Sequence, residues 1–276
     1  MADDLVAMGG GAWAREDCEA ALEGSGGNME VAMDLLMGGF TKAGAAAQGT
    51  AAGGGGGGGA SGGAAAAGDG VFTAEDLGNG LWKIVEADRH GQYPFTYAIM
   101  AGAAPTRCVL IDTGCGTADY KAFLDAHVNK DGLPYYVICT HVHFDHVGGA
   151  HSFAPEAPIA MGGAAQAFTN NYELTSLGAA HGCPVQPFAV SHWLAHGEKV
   201  PLCPAADGVA PPDGAAAALE LEVLHIPGHT PDHIALWWES EALLFVGDHI
   251  YPWTAIDVSG LGHSLPDFVA STELLL

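Results

Sequence analysis

Positive charge is scarce along this 276-residue chain: eight Lys and Arg stand against 32 Asp and Glu, and none follows Lys199. A formal charge of -24 repels a polyanion where a nucleic-acid binder would present a basic stripe, so DNA and RNA are not expected partners. The first residues, Met1 to Asp17, lack the basic stretch and apolar core of a secretory signal, which points to a cytoplasmic protein. No run of about 18 strongly apolar residues occurs, so no membrane span is expected. The six cysteines include no Cys-x-x-Cys pair. In a chain of this length they are read as small buried hydrophobes rather than as disulfide staples.

What is present divides into three stretches. Residues 3–38 carry helical periodicity (Leu5, Val6 and Met8, then Cys18, Ala21 and Leu22, then Val31, Met33, Leu35 and Leu36) broken by glycines, which predicts three short helices within a module spanning 1–42. The segments LVAM-Gly9, AREDCEAAL, the Gly26–Asn28 turn and MEVAMDLL resemble a ubiquitin-associated (UBA) domain. The resemblance implies ubiquitin binding through Met8, Gly9, Leu35 and Leu36, although Gly10 stands where such domains carry an aromatic. Residues 43–70 are nearly all Gly and Ala and read as a flexible linker with a root-mean-square span of about 30 Å. From 71 to 276, short apolar runs (81–85, 95–100, 108–112, 135–139, 219–225, 234–239 and 242–247) predict strands. Helical stretches near 117–128 and 162–169 lie between them, making an α/β domain.

That third stretch carries the chemistry. After the apolar run YYVIC come His141, His143, Asp145 and His146 in the pattern His-x-His-x-Asp-His. Roughly 0.002 such runs are expected by chance in this composition. On a loop leaving a strand, alternate residues His141 and His143 point one way, while Asp145 and His146 can turn toward a second point. Imidazole and carboxylate donors suit zinc, which keeps an open position for water when protein does not close its shell. Pro227-Gly228-His229 and Gly247-Asp248 each follow another predicted strand, bringing His229 and Asp248 to strand ends as well.

Together with Ile111-Asp112-Thr113-Gly114, these motifs resemble the metallo-β-lactamase superfamily over residues 71–276. The resemblance implies an αββα sandwich with two zinc ions at its rim: His141, His143 and His229 on one, Asp145 and His146 on the other, Asp248 between them, and Asp112 as a support. It also implies a further C-terminal His ligand. None appears in a Pro-Gly-His context after Asp248, so the domain reads as C-terminally incomplete, with a weakened second zinc site unless His249 or His263 substitutes. His263, in a Gly-flanked loop, is expected at the surface. His233 and His249 are expected either beside the ligands or at the surface. Ser264-Leu-Pro-Asp267 reads as a helix start running into STELLL.

The expected activity is hydrolysis by a metal-activated water, with Asp145 or Asp248 as proton acceptor and no Ser or Cys nucleophile. The segments THVHFDHVGGAHSF, TNNYELTSLG and GDHIYPWTAID resemble members of the superfamily with thioesterase character, which implies a small-molecule thioester or ester substrate. Tyr172, Tyr251 and Trp253 are expected at the pocket mouth. The alternative is a catalytically impaired metal-binding scaffold recruited to ubiquitinated partners through the UBA-like module.

Overall fold

A computed structural model of the protein describes residue 2 and residues 14–24, 65–66, 70–204, 219–251 and 255–276. Met8, Gly9, Leu35, Leu36 and Trp253 lie outside these residues, as does most of the UBA-like stretch and the linker. The chain divides into two compact units, Met1–Ser61 with Pro252–Ala255 and Gly62–Tyr251 with Ile256–Leu276. In the first, helix α1 (Arg15–Gly24) buries Cys18 and Ala21 and carries an exposed Arg15–Glu19 pair one turn apart at 3.8 Å.

The second unit is built on two sheets. The larger has eight strands in sequential order: β1 (Ala65–Ala66), β2 (Phe72–Gly78), β3 (Leu81–Glu86), β4 (Phe95–Ile99), β5 (Cys108–Ile111), β6 (Tyr135–Ile138), β7 (Ile159–Gly162) and β8 (His192–Leu194). It is antiparallel as far as β5 and parallel from β5 to β8. The smaller is antiparallel in the order β12 (Leu243–Phe245), β11 (Ile234–Trp238), β10 (Glu220–His225), β9 (Lys199–Pro201). The helices are α2 (Tyr120–His127), α3 (Phe144–Val147), α4 (Gln166–Thr169), α5 (Tyr172–Thr175) and α6 (Leu265–Leu275).

Strands β5 and β6 explain the layering. Cys108, Val109, Leu110 and Ile111 are all buried, as a strand covered on both faces requires. Leu110 and Val137 face one way, into a cluster with Tyr120, Phe123 and Leu124 of α2. Val109, Ile111 and Ile138 face the other way, into a second cluster with Val200, Leu221, Val223, Leu236, Trp238 and Phe245 of the smaller sheet. Each large side chain so buried contributes about 1.5–3 kcal/mol. Helix, sheet and sheet are thereby stacked, and the C-terminal ends of β5, β6, β10 and β12 emerge at one rim.

The strands predicted from apolar runs are present within a residue or two at each end. The seven-residue β2 was not predicted, nor were the short β7, β8 and β9, whose three or four residues are too few to show a period. Ala65–Ala66, placed by composition in the flexible linker, pairs with Ala74–Glu75 as an edge strand: backbone hydrogen bonds at a sheet edge need no side-chain signal. Helix α6 starts as expected, with the Ser264 hydroxyl accepting from the Asp267 N–H at 3.3 Å.

The rim is locked by glycines that let backbones touch. A Cβ on Gly148 would meet the Cys115 carbonyl oxygen at 2.2 Å, and one on Gly149 would meet the Thr113 carbonyl oxygen at 2.4 Å. The loop after β5 is therefore pressed against the loop after β6. Gly148 has an ordinary helical φ of -59°, so the constraint there is steric alone. Gly148→Ala is expected to lower unfolding free energy by at least about 2 kcal/mol in urea denaturation, the cost of forcing atoms into a closed contact. A midpoint equal to that of the unsubstituted protein would refute the close packing.

Candidate metal centre

Four strand ends deliver the polar residues. Asp112 follows β5, His141 to His146 follow β6, His229 follows β10 and Asp248 follows β12. The loops are stapled by backbone bonds: the Ile234 N–H donates to the Thr140 carbonyl, and the Thr113 N–H and Oγ1–H both donate to the His146 carbonyl. Gly247, at φ +49°, leaves no room for a side chain, because a Cβ would meet His233 Nε2 at 2.6 Å and Thr140 Oγ1 at 2.8 Å.

Two ligand-like groups result. One nitrogen each from His141, His143 and His229 lie within 4.8 Å of one another, and so do a nitrogen each from His141 and His146 and an oxygen from Asp248. His143 Nδ1 sits 3.2 Å from His141 Nε2 and 2.9 Å from His229 Nε2. The Asp248 carboxylate reaches both sets, with Oδ1 3.1 Å from His146 Nε2 and Oδ2 3.6 Å from His229 Nε2. Asp145 lies alongside, 3.4 Å from His146 Nε2, but belongs to neither group. His141 is thus common to both, whereas the spacing of the motif had assigned it to one.

The partners behind these rings decide which nitrogens can bind a cation. His229 Nδ1 lies 2.9 Å from the Asp257 carbonyl, which can only accept, so Nδ1 carries the hydrogen and Nε2 presents a lone pair. His146 Nδ1 donates in the same way to Asp112 Oδ2 at 2.8 Å. Asp112 also accepts from the Thr140 N–H at 2.7 Å and from the Thr140 hydroxyl, and it holds a left-handed φ of +63° that a non-glycine residue adopts only under constraint. His143 turns Nδ1 toward His141 and His229, and its Nε2 is buried with no hydrogen-bond partner among the described residues.

Electrostatics support the same division. Burial, followed by the neighbouring imidazoles, holds His141 well below the usual histidine range and brings His143 down to about 3, so both rings are neutral. Burial also opposes charge on His146, but Asp248, Asp145 and Asp112 outweigh it and raise its pKa well above the ordinary value. Burial would raise Asp248, yet His146 more than reverses that and holds its carboxyl below the usual range. Neutral rings on one side and a proton trapped among three carboxylates on the other form a donor set that fits a pair of divalent cations.

The other histidines fall into different roles. His233 is fully buried, its ring 4.7 Å from that of His141, and it packs the ligand loop from behind. His249 turns away to Thr272 Oγ1 at 3.0 Å and stacks on Phe268 of α6, so it faces no ligand group. His263, expected at the surface, is instead only 2% exposed at its side chain. Its ring lies 5.1 Å from that of His229, because the tight turn at Gly260 folds it inward. Tyr172 is half-buried, its ring stacked on Phe188 at 5.0 Å and packed against the helix-side core. The Asp257 carbonyl was missed by sequence reasoning, and no side-chain pattern can signal a backbone acceptor.

The pKa shift at His143 has a definite sign in stability. Below about 6.5 the unfolded chain protonates this imidazole while the folded protein refuses the proton down to about 3, so stability falls as pH drops through that window. Urea denaturation of metal-free protein at pH 7 and pH 5 is expected to show a loss that His143→Leu reduces by the slope of one proton, roughly 1.4 kcal/mol per pH unit. Equal losses in the two proteins would show that His143 is not held neutral.

Comparison with known proteins agrees with this architecture. The family model described as Metallo-beta-lactamase superfamily matches residues 91–165 and 209–275, both halves of the site. Among curated relatives, avaE of Aspergillus versicolor, which carries a transcription-factor name, is 30% identical over 65% of this chain, and the chain spans 56% of its length. The acyl-coenzyme A thioesterase MBLAC2 of Gallus gallus is 28% identical over 74% of the chain and 75% of its own length. A hydroxyacylglutathione hydrolase of Methylococcus capsulatus is 34% identical over 42% of the chain and 34% of its own length. A beta-lactamase domain protein from Burkholderia ambifaria shares the fold at TM-score 0.56 and 18% identity, covering 73% of this chain and 65% of its own. With the matched segments covering half of its residues, this chain belongs to the metallo-beta-lactamase superfamily.

Proposed function

We propose that the chain is a zinc-dependent hydrolase of thioesters. The observation that carries this reading is the convergence of one nitrogen each from His141, His143 and His229 within 4.8 Å of one another, beside His146, Asp145 and Asp248. His141, His143 and His229 would hold one ion and His146 and Asp248 the other, with Asp145 alongside at 3.4 Å from His146 Nε2, and the pair would polarise a carbonyl and lower the pKa of a water. The protein's own groups do the rest. Asp112 and the Asp257 carbonyl orient His146 and His229, as hydrogen-bond partners behind metal-binding rings do. Asp145 or Asp248, with side chains 13% and 22% exposed, takes the proton from the attacking water. The C–O bond forms first and moves negative charge onto the carbonyl oxygen; as that charge returns the C–S bond breaks, and the leaving sulfur takes the proton back.

The thioester class is favoured over other hydrolysable bonds by the acyl-coenzyme A thioesterase and hydroxyacylglutathione hydrolase among the relatives. Both names describe cleavage of an acyl–sulfur bond. The strongly acidic chain, with no Lys or Arg after Lys199, disfavours a polyanionic substrate such as a nucleic acid.

Elemental analysis of the purified protein is expected to find close to two zinc ions per chain. Hydrolysis of an N-acetylcysteamine thioester should fall at least about 100-fold with chelator and return with added zinc. His141→Ala and His229→Ala, each of which removes a donor from the first group, should both lower metal content. Chelator-insensitive turnover, or a metal-free protein that still hydrolyses the thioester, would refute the reading.

A further inference from the structure

His263, like His233, is a ring beside the metal centre that the hydrolase reading leaves unused. Its Nδ1 accepts the Gly260 N–H at 2.7 Å, so in the neutral ring the hydrogen sits on Nε2. That N–H is shut off from solvent and has no partner among the described residues. The ring lies 5.1 Å from that of His229 and 5.8 Å from that of His143, centroid to centroid, while His263 joins no ligand group. It is therefore beside the ligands of one ion without sharing in their donor set. Leaving a buried donor unpaired costs about 1–3 kcal/mol, and a fold tolerates such a donor where something else completes it.

The loop that carries His263 is also tied to the site. The Asp257 carbonyl orients His229, the Ser264 N–H donates to the Gly228 carbonyl at 2.8 Å, and Gly262 at φ +80° fits against the Phe168 ring. Residues 257–264 thus form a bracket around the His229 loop, with one N–H donor held in a set tautomer beside it.

We propose that His263 Nε2–H is a hydrogen-bond donor to the substrate, aimed at the carbonyl oxygen of the thioester as that oxygen gains negative charge. The inference rests on the hydrolase reading above and adds to it a residue that contacts the reacting group without holding metal. A neutral donor fixed in place before charge develops stabilises an oxyanion without reorganisation.

Two substitutions separate the ring's two nitrogens. His263→Asn keeps an acceptor near Nδ1 for the Gly260 N–H and removes the distal donor, whereas His263→Gln places an amide N–H near Nε2. In zinc-loaded full chain, H263N is expected to retain the metal content and melting temperature of the unsubstituted protein. It should bind octylphosphonate, a tetrahedral anionic mimic, about 10- to 100-fold more weakly by calorimetry, the loss expected for a hydrogen bond to a charged group. The kcat for an octanoyl N-acetylcysteamine thioester should fall by a similar factor with little change in KM, and H263Q should recover most of both losses.

Unchanged phosphonate affinity in H263N overturns the proposal. Loss of metal in H263N does so too, since it would make His263 part of the metal shell. If H263N melts early, H263Q decides alone: phosphonate affinity near that of the unsubstituted protein supports the donor, and a loss beyond about 10-fold removes it. An unsubstituted protein that takes up neither zinc nor phosphonate overturns the hydrolase reading itself, a result visible before any variant is compared.

Discussion

The rim of this fold depends on one buried carboxylate. Asp112, in a strained left-handed conformation at the end of β5, accepts from the backbone and hydroxyl of Thr140 and from His146 Nδ1. A carboxylate taken out of water is tolerated only when its oxygens are filled by donors. Here filling them aligns the loop after β6 with the loop after β5 and turns His146 Nε2 toward Asp248. The energy that stabilises Asp112 is thus the same energy that orients a ligand ring.

Around that anchor, packing and chemistry share their constraints. The Gly148–Cys115 and Gly149–Thr113 contacts bring two backbones closer than any side chain would allow, so the His141–His146 loop cannot drift outward. The smaller sheet contributes through the Ile234–Thr140 backbone bond and through Gly247, which closes on His233 and Thr140. Four strand ends from two sheets meet because the core between the sheets holds them face to face, with Ile138 and Val109 against Leu236 and Val223.

Charge is arranged in opposition to the chain as a whole. The surface is acidic and poor in cations, while the site concentrates imidazoles, most of them held neutral by burial and by each other. The carboxylates Asp145 and Asp248 both stand next to His146, which carries the compensating proton. A divalent cation in place of that proton relieves the same imbalance more completely, and for this reason the arrangement fits metal rather than acid–base chemistry by histidine alone.

By itself the sequence determined the α/β class of residues 71–276, the principal strands and the chemical kind of the site. Apolar runs report burial, and His141, His143, Asp145 and His146 lie close enough in the chain for spacing alone to bring them together. His229 and Asp248 were legible because each follows an apolar run that had to end at a strand tip. Only the tertiary structure decided that His141 is common to both groups, that the Asp257 carbonyl sets the tautomer of His229, that His249 turns to α6 and that His263 folds inward. Those outcomes depend on backbone acceptors, on turns at glycines and on contacts between elements far apart in the chain, and none of these leaves a local pattern of side chains to read.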